Sequence, residues 1–111
     1  MNITVYFTPS FNKRYKRYKK KYHSIDDELN LFLENLADNI PVDLGGGIYK
    51  YRLLVKSKNK GKSGGFRIIT LELLVTENDK DVTLISIYDK SEIASISKVK
   101  IMEILKNEGL L

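Results

Sequence analysis

Residues 66–75, FRIITLELLV, form a nearly continuous apolar run of the kind a central β-strand carries. A second run, VTLISIY at 82–88, follows the turn-like Asn78-Asp79-Lys80-Asp81. A third strand is expected over 48–56, where Tyr49, Tyr51, Leu53 and Val55 alternate with Lys50, Arg52, Leu54 and Lys56. Strands joined this closely form an antiparallel meander. The rest of the chain must then supply helices to cover it, and the class is α+β.

The flanking segments read accordingly. Ile3 to Phe7 is β-prone, and Thr8-Pro9 marks a helix start with Pro at the first helical position. Phe11, Tyr15, Tyr18 and Tyr22 then recur on one helical face, the spacing of a core-facing stripe. Ser24 and Asp27 suggest a capping box for a second helix carrying Ile25, Leu29, Phe32, Leu33 and Leu36. The short link between the two helices predicts a helical hairpin. Pro41 and Gly45 to Gly47 close that region. Ile96, Val99, Met102 and Leu105 predict a C-terminal helix with Gly109 as its cap. The expected order is βααβββα in one domain, residues 1–111, with no repeat or linker.

Charge adds the functional signal. Among 111 residues the net charge is +5, with 19 Lys and Arg against 14 acids. Fourteen of those cations fall in two acid-free segments, 11–22 and 49–67. Like charge so concentrated repels itself, and a polyanion such as nucleic acid would relieve it. On 11–22 the partner is either RNA or an acidic protein segment. A solvated face would waste the i,i+4 pairing those positions allow.

Several chemistries are excluded or weak. The chain has no cysteine and one histidine, His23, placed at a turn, so a zinc site and a disulfide framework are not expected. Gly61-Lys62-Ser63 lacks the glycine five residues earlier that a phosphate loop needs, that place being Lys56, and a strand follows rather than a helix. Neither a membrane-length apolar run nor a signal-peptide pattern is seen, so a cytoplasmic protein is expected. No metal or cofactor is expected.

The segment GGGIYKYRLLVKSKNKGKSGGFRIITL, followed by LISIYDKSEIASIS, resembles the RelE/HigB toxins of bacterial type II toxin–antitoxin modules. The likeness is closest to the HigB branch and extends over nearly the whole chain. It implies a microbial-ribonuclease-like fold and metal-independent, ribosome-dependent cleavage of mRNA in the A site, which inhibits translation. It also implies a cognate antitoxin encoded alongside, with a DNA-binding module. Residue by residue, it points to Lys50 and Arg52 of the YKYR strand, Arg67 after the double glycine, Lys90 after the third strand, and Tyr88 near the scissile phosphate.

The chemistry expected of these residues is attack of the ribose 2′-OH on the adjacent phosphorus. In-line alignment, stabilisation of the phosphorane and protonation of the 5′-oxygen are required. Arg67 suits the phosphorane because a planar guanidinium fork matches phosphate. Arg52 and Lys62 would hold flanking phosphates, and Lys90 or Tyr88 would donate the proton. Lys56, Lys58, Lys60 and Lys62, with Lys13, Arg14, Arg17 and Lys20 of the first helix, are expected to dock RNA or the ribosome. The alternatives are a gyrase-poisoning toxin of the same fold, as in the ParE branch, and a non-catalytic RNA- or ribosome-binding module.

Overall fold

A computed structural model describes residues 1–57 and 65–111. Strand β1 (Asn2–Phe7) leads into helices α1 (Pro9–Lys21) and α2 (Ile25–Glu34), then a 3₁₀ turn at Leu36–Asp38. Strands β2 (Val42–Gly45), β3 (Ile48–Leu53), β4 (Phe66–Thr76) and β5 (Asp79–Asp89) follow, and helix α3 (Lys98–Asn107) ends the fold. The strands form one sheet in the order β1-β5-β4-β3-β2.

The α+β class and the β3-β4-β5 meander are as expected, but the sheet is larger. β1 joins it by pairing parallel to β5, with Phe7 opposite Leu84. β2 is an additional strand, short and mostly exposed, paired antiparallel to β3. At four residues, VDLG, it is too short for the alternation of Val42 and Leu44 to stand out in the pattern. The triple glycine is the β2–β3 turn, with φ of +89°, +64° and +82° at Gly45, Gly46 and Gly47. That left-handed run suits glycine.

Helix α1 begins as predicted. Thr8 caps it, its Oγ1 accepting from the Phe11 N–H at 3.0 Å and donating to the Ile85 carbonyl at 2.9 Å. The capping box at Ser24 does not form. Ser24 has helical backbone angles and no side-chain cap bond, and its hydroxyl instead contacts Glu28 and Ser57. On α3 the buried residues are Ile101, Ile104 and Leu105, whereas Val99 and Met102 are exposed. The predicted stripe is therefore rotated around the helix, because the apolar residues on α3 outnumber those its packing face can bury.

Each face of the sheet has its own core. The α1–α2 hairpin covers one face with Phe11, Tyr18, Ile25, Leu29 and Phe32 against Tyr51, Phe66, Ile68 and Leu84. Helix α3 covers the other with Ile101, Ile104 and Leu105 against Ile48, Ile69, Leu71, Ile85 and Tyr88. A bulge in β5 links the two. Ile69 pairs with Ser86 and Thr70 with Leu84, leaving Ile85 extra. Before the bulge Val82 and Leu84 face the helical hairpin; after it Ile87 does, and Tyr88 faces α3. A bulge re-aims side chains in this way by adding one residue to a period-two strand.

Candidate nucleic-acid interface

The cross-strand register assembles three of the expected residues. Arg52 of β3 lies opposite Arg67 of β4, and Arg67 lies opposite Tyr88 of β5. Lys50 stands one row inward, opposite Ile69, and is half-buried. Lys90 is exposed just past β5, and its N–H donates to the Gly65 carbonyl at 3.1 Å, beside the start of β4. Gly65 is forced by packing: a Cβ there would sit 2.6 Å from the Leu53 carbonyl oxygen, and φ is +70°. Its close approach is to the neighbouring strand, not to a ligand.

Arg52 and Arg67 are like charges placed directly across a strand pair, an arrangement that costs stability. Arg52 is exposed, at a part of β3 that β2 does not pair. Arg67 is only 8% exposed, and its Nη1 donates to its own neighbour's carbonyl, that of Phe66, at 3.2 Å. Burial, then the charge of Arg52, pull the Arg67 guanidinium below its ordinary pKa. Arg52 and Lys56 also line a groove of about 510 Å³ with Asn35, Asn39 and Glu28, beside α2, and the Glu28 carboxylate there accepts from the Lys56 N–H at 2.7 Å.

Tyr88 joins the row but is fully enclosed, and its hydroxyl is a buried polar atom with no hydrogen-bond partner among the described residues. As folded it does not reach solvent, so the expectation of a proton donor at this position does not match its burial. Leu44, Ile93 and Ile96 pack against the cluster that contains it. Lys58, Lys60 and Lys62 lie outside the described residues.

The cations of α1 do not join this row. Lys13, Arg14 and Arg17 line a separate trough between α1 and α3. Arg17 pairs with Glu92 at 3.3 Å, and Lys20 is exposed on α1. The aromatic stripe of α1 packs as core: Phe11 and Tyr18 are buried, and Tyr18 and Tyr22 meet Phe66 edge-on with centroids 4.8 and 5.4 Å apart. His23 is exposed at the turn. Among the described residues no group of three or more acids and histidines is placed to hold a metal ion. Ser86, Glu92 and Lys100 were not singled out by sequence. Ser86 had a signal, a hydroxyl inside an apolar run, and Glu92 stood in the IYDKSE run that carries the resemblance without being given a role, while Lys100 had none.

The sequence matches the family model described as RelE toxin of the RelE / RelB toxin-antitoxin system, over residues 10–108. The chain belongs to the RelE toxin family. This RelE-type toxin carries the matched region from the first turn of α1 to the end of α3, so the match includes the whole arginine row and both helical layers. Only β1 and the chain ends fall outside it. No curated protein matches the chain. No described helix is long and apolar enough to cross a membrane.

Proposed function

We propose that this toxin is a metal-independent endoribonuclease that cuts mRNA on the ribosome. The observation that carries the reading is the Arg52–Arg67 opposition. Two arginines stand opposite each other near the end of the β3–β4 ladder, one exposed and one nearly enclosed, with Lys50 two residues along β3 and Lys90 tied to Gly65 at the start of β4. A bridging phosphate would turn that repulsion into two charge-assisted, fork-shaped contacts.

In this reading exposed Arg52 and Lys56 draw in the phosphodiester backbone, and the groove beside α2 accepts the flanking strand. Arg67 takes the charge that grows on the phosphorane. Its partial burial strengthens that interaction, because water screens it less. Lys90, exposed and tied to the start of β4, is the better placed proton donor for the leaving 5′-oxygen. Tyr88, enclosed behind Arg67, positions the guanidinium. Ordinary lysine and tyrosine pKa values near 10 make both poor bases at neutral pH, so the ribosome would supply alignment and part of the proton transfer. The antitoxin carries the DNA-binding module, and the complex acts in the cytoplasm.

Primer extension on cellular mRNA after induction tests this. Cuts within translated codons, absent from the Arg67→Ala variant, are expected. Growth arrest with DNA-damage signalling and intact mRNA would instead indicate a gyrase-directed toxin.

A further inference from the structure

The trough between α1 and α3 stands apart from the arginine row. One wall is Ser10, Lys13, Arg14 and Arg17 of α1, spaced three, one and three residues apart on a single helical stripe. The other is Lys100, Ile104 and Asn107 of α3. The space between them is about 600 Å³. Ser86 lies on its floor, 1% exposed, with an Oγ that has no hydrogen-bond partner among the described residues.

Each end of this trough already holds a carboxylate from the chain itself. At one end Glu108 Oε1 accepts from the Ser10 N–H at 3.0 Å and from its hydroxyl at 2.6 Å, at the positive end of α1. At the other, Arg17 binds Glu92 and holds its carboxyl below the usual range. Between them Lys13, Arg14 and Lys100 make no ion pair among the described residues. The middle of the trough therefore repeats the chemistry of its ends without the acid.

We infer that this trough is a docking site for an acidic segment of the cognate antitoxin, with carboxylates on Lys13, Arg14 and Lys100 and apolar side chains on Ile93 and Ile104. The inference rests on the family's toxin–antitoxin pairing. Single-stranded RNA fits less well. Its bases stack on aromatic rings, and among the described residues no aromatic side chain lines the trough. The Ser86 hydroxyl would gain a partner on binding, a carboxylate or a main-chain carbonyl of the segment.

The test uses the full-length toxin, the protein encoded by the neighbouring gene as antitoxin probe, and a labelled single-stranded RNA. Lys13→Glu with Arg14→Glu, and separately Lys100→Glu, should weaken antitoxin binding roughly tenfold or more, as charge reversal at a complementary surface does. The equal-charge control Lys16→Glu with Lys21→Glu, both exposed on α1 outside the trough, should weaken it much less, and RNA affinity should fall no further in the trough variants than in that control. An acid-to-lysine change in the antitoxin should restore binding to a trough variant. Ser86→Ala should leave the free toxin's melting temperature unchanged or higher while weakening the complex. Antitoxin binding indifferent to trough charge would overturn the docking site alone, and a selective loss of RNA affinity would reassign it to nucleic acid. No binding by the wild-type toxin would overturn the toxin–antitoxin pairing and the docking site together.

Discussion

The two faces of the sheet are built to different standards. Beneath the α1–α2 hairpin the buried polar groups have partners. Glu72, 9% exposed, accepts from Tyr51 at 2.5 Å and Thr70 at 2.8 Å and pairs with Lys80 at 2.6 Å. Tyr18 donates to Glu92 and accepts from the Asp89 N–H, and Tyr15 bonds Asp26. Beneath α3, two arginines oppose each other and the hydroxyls of Ser86 and Tyr88 have no partner among the described residues. The first face satisfies its own chemistry and supplies stability. The second sets like charges opposite each other and leaves hydroxyl groups unsatisfied among the described residues, which is the condition for binding something else.

Substitutions that strike one face and spare the other break this contrast if it is wrong. Phe66→Ala removes the ring at which Tyr18 and Tyr22 meet, and should cost about 3–5 kcal/mol in chemical denaturation. Arg67→Ala should lower translation-dependent mRNA cleavage roughly 10²–10³-fold while its denaturation midpoint stays close to wild type. A large loss of stability there would make Arg67 a structural residue and end the contrast. Tyr51→Phe takes a donor from a buried carboxylate and should cost about 1–3 kcal/mol.

The same face sets an alkaline limit. Burial, reinforced by Asp26 and Glu72, pushes the Tyr15 and Tyr51 phenols well above the ordinary tyrosine value. Above about pH 10 the unfolded chain loses these protons while the folded one keeps them, so stability falls as pH rises. Thermal melts across that range should show the fall, and Tyr51→Phe should make it shallower. The smallest effect is expected at Tyr88→Phe, which deletes a hydroxyl with no partner and should leave the melting temperature unchanged or slightly raised. A drop would show that the hydroxyl is satisfied and the α3 face less frustrated than described.

Period and spacing made the helical hairpin legible, because the aromatic stripe at Phe11, Tyr15, Tyr18 and Tyr22 repeats with the helix. The β3-β4-β5 meander was legible from strand-length apolar runs. The place of β1 was not, since its partner Leu84 lies far along the chain and pairing over that separation leaves no local mark. Arg52 and Arg67 were found by charge and resemblance, and their opposition follows from the register. The enclosure of Tyr88 and the trough at Ser86 were not foreseeable, because both depend on where β5 gains its extra residue.

That extra residue, Ile85, acts as a phase shifter for the second half of β5. A regular strand in place of the bulge, with Ile85 counted in the pleat, would turn every side chain from Ser86 to Asp89 through half a period. Tyr88 would then face the aromatic layer beneath α1, and Ile87 the side of the sheet that carries Arg67. The arginine row and the trough inferred as a docking site are thus both set by a single position that contributes no chemistry of its own.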